Sequence, residues 1–583
     1  MSTATPAHGA PTPTGAFTHR QIVVILTGLM SGMFLAALDQ TIVATSIRTI
    51  ADDLNGLSIQ AWATTAYLIT STIATPLYGK LSDLYGRRPF FLFAISVFIL
   101  GSVLCGLAQT MYQLAGARAF QGIGAGGLFA LALTIIGDLV PPRERAKYQG
   151  YFLAVFGTSS VLGPVVGGFF AGQSSILGVA GWRWVFLVNV PIGFASLVLV
   201  YRTLHLPHTR REHRIDYQGA MALVVGLVPL LIVAEQGREW GWASTNAVVS
   251  YLLGAVGIVW FLVTERRMGD DALLPLRLFR GRTFAVGSML NFIVGMGMFG
   301  AFASLPLYLQ IVKGYSPTTA GLLLIPMVLG IMSGSIVAGQ VIARTGRYRW
   351  FPITGLALLA VAMVLLGGIH TDTSMVLVDV FAFVFGLGLG FNMQPLVLAI
   401  QNAVPPRDMG VATSSATFFR QMGGTLGTAV FLSVLFNGLP DRIAAAFRAS
   451  ATDPDFQAAL RDPAVTSDPA NAPVLQGVRN GTGGGTGGQA LNDSSFIDAL
   501  DPRLARPFLV GFAESIQMVF LLGAVVIGIA FLVVWFLPEE ELRTQSGIEA
   551  REEQEQDVAA AAALAEPAAG AVVAPAEPGP RRD

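Results

Sequence analysis

Gly79-Lys80-Leu81-Ser82-Asp83-Leu84-Tyr85-Gly86-Arg87-Arg88 is a short charged turn between two long apolar runs. Three basic residues and one acid fall in ten positions of a chain that is only 12% charged. The run before it ends near Gly79, and the run after it starts at Pro89 and stays apolar to about Leu107. A turn of this kind belongs between two membrane helices, on the side where basic residues are retained. The two glycines allow the chain to reverse tightly.

Working outward, the apolar residues of the 583-residue chain, 53% of the total without counting glycine, gather into runs of about 20 residues. That length crosses a bilayer core of roughly 30 Å as a helix; a spanning strand would be shorter and would alternate. Fourteen such runs are expected: 21–43, 60–79, 89–108, 113–138, 150–171, 183–202, 217–235, 245–264, 283–305, 317–340, 351–368, 375–400, 411–434 and 514–537. With the N-terminus inside, Lys80, Arg87, Arg88, Arg145, Arg210, Arg211, Arg277, Arg344, Arg347 and Arg407 share the cytoplasmic side with most other loop bases. The short loops opposite hold only Arg48, Arg183, Arg238 and Lys313. This bias predicts both termini in the cytoplasm. The formal net charge of zero therefore says little about partners.

The chain also repeats itself. Gly79 and Gly86-Arg87 match Gly339 and Gly346-Arg347 at an offset of 260 residues. Gly122-Ile123-Gly124-Ala125-Gly126 matches Gly386-Leu387-Gly388-Leu389-Gly390, and Pro141-Pro142-Arg143-Glu144 matches Pro405-Pro406-Arg407-Asp408, both at 264. The reading is an all-α integral membrane protein with two homologous six-helix halves, 21–202 and 283–537. A linker, 203–282, carries two inserted helices. Internal repeats of this kind mark secondary transporters. Residues 1–20 form a polar cytoplasmic tail, 435–513 a mostly flexible external loop with short helices at 441–448 and 494–505, and 538–583 a disordered cytoplasmic tail. The copies differ in charge: Asp83 becomes Ala343 and Arg118 becomes Ala382, which places the coupling chemistry in the first half.

These motifs resemble the major facilitator superfamily, and more narrowly its fourteen-span drug:proton antiporter branch of multidrug exporters. Gly79–Arg88 is similar to the signature loop between spans 2 and 3. Arg118-Ala119-Phe120-Gln121-Gly122-Ile123-Gly124-Ala125-Gly126 resembles the span 4 motif linked to proton transfer. Gly157 with Gly163-Pro164-Val165-Val166-Gly167-Gly168 resembles the antiporter motif of span 5. Leu38-Asp39-Gln40-Thr41-Ile42-Val43 and Trp182–Gly193 fit the fourteen-span branch at spans 1 and 6. The resemblance implies the major-facilitator fold, a bend in span 5, and export of small organic compounds against protons from a bacterial inner membrane.

Candidate residues follow from cost. A carboxylate or guanidinium at membrane depth must pair, snorkel or face water. Asp39 and Arg118, with Gln121 three residues on, are the proton-coupling candidates; the alternatives are a helix-end cap and a headgroup anchor. Gly79, Asp83, Gly86, Arg87 and Arg88 are the cytoplasmic-gate candidates, although the arginines also serve topology. Gly157, Gly163, Pro164, Gly167 and Gly168 form the candidate bend. Asn392, Gln394, Phe156 and Tyr308 are candidates for a substrate pocket, and Asp379 and Glu235 for secondary acids.

Cys105 is the single cysteine, so no internal disulfide forms. No Gly-Lys-Ser or Gly-Lys-Thr phosphate loop is present, no metal-ligand constellation and no nucleic-acid module, so no cofactor is expected. The expected partners are small organic substrates, protons and the bilayer, with a possible external partner at 435–513 and a monomeric state. Exporters of a lipid, siderophore or secreted metabolite, or a membrane scaffold or sensor, are the alternatives.

Overall fold

The computed structural model describes residues 19–54, 61–205, 216–479 and 495–543, with scattered positions beyond; some side chains inside helices, chiefly between 143 and 161, lie outside the description. The first half comprises α1 (His19–Asp53), α2 (Ala61–Tyr85), α3 (Arg87–Leu107), α4 (Met111–Leu139), α5 (Pro142–Ala171), the short α6 (Trp184–Leu187) and α7 (Asn189–Thr203). An inserted pair follows, α8 (Tyr217–Trp240) and α9 (Thr245–Met268). The second half comprises α10 (Arg282–Leu307), α11 (Pro317–Leu322), α12 (Ile325–Thr345), α13 (Trp350–Leu366), α14 (Met375–Asn402) and α15 (Met409–Ser450). It continues through three short helices, α16 (Pro454–Arg461), α17 (Pro463–Thr466) and α18 (Ala472–Arg479), to α19 (Pro502–Val533). The one departure from an all-helical chain among the described residues is a two-stranded antiparallel hairpin, β1 (Ser175–Ile176) with β2 (Val179–Ala180).

Among the described residues, eleven helical segments are long and apolar enough to cross a membrane. Two shorter apolar helices, Gly157–Ala171 and Trp350–Leu366, accompany them. Each of the fourteen apolar stretches coincides with helix, but α2 is too rich in polar residues to qualify on hydropathy alone.

The repeat is visible in packing. α4 is buried nearly all round because its glycines let α2 and α3 close on it from two sides. A Cβ on Gly122 or Gly126 would land on the α2 backbone; on Gly124 it would come within 2.6 Å of Ala94 O in α3. The second half does the same. Gly386 and Gly390 meet α12, and a Cβ on Gly388 would lie 2.8 Å from Gly355 O in α13. The matching turn glycines both have positive φ, 98° at Gly86 and 71° at Gly346, a region that favours glycine.

The charged stretch is tighter than the sequence suggests. α2 runs to Tyr85, only Gly86 turns, and α3 begins at Arg87. Gly79 is thus helical, and its role is contact: a Cβ there would fall inside the Ser414 side chain and within 2.7 Å of Gly410 O, on α15. The flexible-loop expectation for 435–513 is corrected as well. α15 continues unbroken to Ser450, and Phe456, Val465, Val474, Leu475, Ile497 and Leu500 are buried against α15 and α19 in one apolar cluster. Periodic apolar residues hidden among Ala, Asp and Pro build this cap. Gly481–Gly488 lies outside the described residues. The start of the C-terminal tail is also fixed: Tyr348 Oη donates to Pro538 O (3.1 Å), Asn402 donates to Glu541 O (3.0 Å), and Leu542 is buried.

The inserted pair lies at the seam between the halves. Leu223, Leu227 and Leu231 of α8 pack with Ile69 and Ile73 of α2 and with Phe418 of α15. The outer face of α9, including Leu252, Val256, Val259 and Trp260, is exposed apolar surface, as expected of a lipid-facing helix.

Candidate functional site

Asp39 is fully buried on α1, and two helices supply it with three donors. Arg118 Nη1 of α4 donates to Oδ2 at 2.5 Å. Gln121 Nε2, one turn further on α4, donates to Oδ1 at 2.9 Å, and Asn189 Nδ2 at the start of α7 donates to the same oxygen at 2.7 Å. Arg118 also donates to Ala63 O (3.1 Å) and Gln121 Oε1 (2.7 Å), and its guanidinium stacks on the Tyr67 ring at 4.1 Å. Gln121 further donates to Ser102 Oγ at 2.8 Å, which adds α3. Arg118 keeps 1% of its surface, so it is not a headgroup anchor. The sequence brought Asp39, Arg118 and Gln121 forward separately; the fold joins them. Asn189 stood inside the quoted span 6 motif without a role. Its neighbours in that motif are ties: Trp182 Nε1 donates to Asp53 Oδ2 (2.7 Å), and Arg183 to Gly106 O and Ala108 O (2.7 Å each).

A second buried network closes the end of the bundle that carries the basic loops. Asp83 accepts from the backbone N–H groups of Gly410 (3.1 Å) and Val411 (2.9 Å), at the start of α15 in the opposite half. A carboxylate is favoured there by the unpaired N–H groups and the helix dipole. Arg87 bridges Asp83 (2.5 Å) and Asp138 of α4 (2.8 Å) and donates to Ser82 Oγ (2.7 Å). Arg88 behaves differently: it donates to Tyr201 O (2.7 Å) and lies over that ring at 5.0 Å, within its own half.

Sequence reasoning missed several members of this end. Asp138 is an acid inside an apolar run and qualified by the argument that singled out Asp39. Arg145, read only as a topology signal, is buried and donates to Gln401 Oε1 across the seam at 2.7 Å. Lys80 donates to Asp270 O (2.9 Å), and Arg277 joins Asp270 (2.5 Å) to Asp408 (3.0 Å), so the segment after α9 links both halves. No local signal marks those pairings.

The span 5 residues separate by contact. α5 is continuous through Pro164, whose ring faces Gly321 of α11. Gly163 and Gly167 admit Thr41 and Thr45 of α1, and a Cβ on Gly157 would come within 2.7 Å of Val328 in α12; Gly168 faces open space. The pocket candidates are not brought together. Tyr308 is buried, with its hydroxyl committed to His370 O (2.8 Å). Asn392 donates to Gly388 O (2.8 Å) on the face of α14 toward Gly355, so both serve packing here. Gln394 lies seven residues before Gln401, on the face of α14 turned to the seam, and its Oε1 has no partner. Asp379, in the second turn of α14, is half-buried without an ion pair among the described residues. The side chains of Phe156 and Glu235 lie outside the described residues.

Two repeated helical halves, a buried ion pair inside one and a charged clasp between them define a polytopic transporter. The family model described as Major Facilitator Superfamily matches residues 29–428, and the chain belongs to that family. It is therefore a secondary active transporter and not an enzyme. The chain is 36% identical over 522 residues to "Uncharacterized MFS-type transporter Rv1877" of Mycobacterium tuberculosis, covering 89% of this chain and 70% of that one. It is 35% identical over 527 residues to "Multidrug resistance protein 3" of Bacillus subtilis, covering 89% and 96%. These relatives support a bacterial, multi-pass membrane protein. The fold also matches the crystal structure of the human organic anion transporter MFSD10, with a TM-score of 0.57 at 14% identity over 88% of this chain and 99% of that one.

Proposed function

We propose that the protein is a fourteen-span antiporter that exports amphipathic or cationic drugs in exchange for protons, with both termini cytoplasmic. The observation that carries this reading is the Asp39 carboxylate, buried in membrane-spanning helices and held by Arg118, Gln121 and Asn189. A buried ion pair is a poor source of stability compared with apolar packing, so its retention at this depth points to use. Protonation of Asp39 removes the charge that compensates Arg118. The guanidinium then needs another partner, and α4 and α7 are released from their common acceptor on α1. The Asp83 bonds to Gly410 and Val411, braced by Arg87 and Asp138 at the cytoplasmic end on the charge bias, hold the inner side closed and must break for that side to open. Proton and substrate then compete through two states of one molecule, which suffices for exchange because coupling is reciprocal.

The printed name of the Bacillus relative supports drugs as the cargo. The test is proton movement in proteoliposomes under an imposed pH gradient, with a panel of cationic and neutral drugs, for the wild type and Asp39→Asn. Substrate-dependent proton flux that Asp39→Asn abolishes supports the reading. Gradient-independent transport, or unchanged coupling in the variant, overturns it.

A further inference from the structure

Thr413, Thr417, Arg420, Gln421 and Gly424 follow on α15 at spacings of three, four and seven, and share one side of the helix. Contacts fix where that side looks. Thr413 Oγ1 accepts from Gln401 of α14 (2.9 Å), which itself meets Arg145 of the first half. Gln421 Oε1 accepts from Thr75 of α2 at 3.2 Å. Arg420 directly precedes Gln421 and lies two turns after Thr413, and its backbone packs against Gly295 of α10 beside this seam. It lies ten residues, about 15 Å, into the helix from Gly410.

Arg420 is half-buried, and it makes no hydrogen bond or ion pair among the described residues. In that it differs from the buried arginines Arg87, Arg118 and Arg145, each of which meets an acid or an amide oxygen. Among the described residues, no acid nearby is free to neutralise it. α10, which packs closest through Gly295, carries none. Asp83 and Asp138 are held by Arg87, Asp39 is held by Arg118, and Asp379 lies at the end of α14 away from Gln401. An arginine does not lose its proton in a protein, so it has no part as a proton carrier. An uncompensated guanidinium at membrane depth is costly, and it is retained where a ligand supplies the missing charge.

We propose that Arg420 is the anion-recognition group of the transport path, and that the preferred cargo is an amphiphile with a negatively charged carboxylate or phosphate head. This rests on the exporter reading and, within its amphipathic compounds, selects those with anionic heads in place of the cationic ones.

Three matched fluorescent probes test it: 11-(dansylamino)undecanoate, its methyl ester, and the corresponding undecyl-trimethylammonium. Binding to the full-length protein in phosphatidylcholine nanodiscs is titrated for the wild type, Arg420→Lys and Arg420→Gln, and transport of the same probes is followed in proteoliposomes. The wild type binds the carboxylate best. Arg420→Gln weakens that binding about 10- to 100-fold, the value of a charge-assisted contact, and leaves the ester unchanged. Arg420→Lys retains part of the preference, which separates lost charge from lost fold. Equal binding of the three probes, binding of none, or an unchanged preference in Arg420→Gln overturns the proposal. Competition by added phosphatidylglycerol, relieved in Arg420→Gln, assigns the head group to lipid; no competition assigns it to a free compound. Gradient-driven transport with no charge preference sinks the anion site and spares the exporter reading. A lost preference without any gradient-driven transport does the reverse.

Discussion

Replacing Asp83 by Asn should loosen the clasp between the halves by a measurable amount. In the structure the carboxylate accepts two backbone N–H bonds from Gly410 and Val411 and faces Arg87, with the Asp83 side chain only 7% exposed. Hydrogen bonds to a charged group contribute roughly 1.5–3 kcal/mol each. Asn keeps one carbonyl acceptor and Arg87 keeps Asp138, so about one such bond and part of the ion pair are lost. The expected shift is about 2–3 kcal/mol, or roughly 30- to 150-fold in the opening equilibrium. Ser414 reports on it, since it is buried against Gly79 at the same contact. In a Cys105→Ala background, Ser414→Cys is labelled with a membrane-impermeant maleimide from the cytoplasmic side of inverted vesicles. Labelling at Ser414→Cys should accelerate by that factor when Asp83→Asn is added. An acceleration below about threefold would refute the idea that these bonds hold the inner side shut.

Asp39→Asn and Arg118→Gln should each destabilise the protein by about 3–5 kcal/mol by stranding a buried partner, and the double variant by less than the sum; thermal unfolding in detergent reads this. Gly157→Ala should cost about 1–3 kcal/mol through Val328, with relief from Val328→Ala, whereas Gly168→Ala leaves the melting temperature unchanged. Tyr348→Phe removes the bonds to Pro538 O and from Glu540 N, about 1 kcal/mol each, so trypsin should cleave at Arg543 several-fold faster. Its hydrogen bonds with Arg503 hold the Asp501 carboxyl below the usual carboxylate range. The stability this gives the 453–505 cap is therefore complete above about pH 4 and is lost as the pH falls through the lower folded value. Hydrogen exchange in α16 and α18 should rise only on that acid side.

Apolar run length, turn glycines and the 260- and 264-residue offsets made the helices and the two halves legible, because hydropathy and helical period are local properties of the chain. Cost alone marked Asp39 and Arg118, since a charge in an apolar run needs a reason wherever the fold puts it, and Asp83 stood out as an acid in a basic turn that topology does not explain. The cap that Phe456, Val465, Val474, Leu475, Ile497 and Leu500 build escaped because these few apolar residues close a core only against α15 and α19. Partners escaped for a related reason. Asn189 reaches Asp39 across 150 residues, Asp83 finds Gly410 across 327, and Arg145 finds Gln401 across 256. Which side chains meet depends on how helices cross and how closely glycines let them approach, and the sequence by itself does not state that. Arg420 shows the same division. The chain alone places a guanidinium within an apolar span; only the packing of α15 leaves it without an acid partner among the described residues.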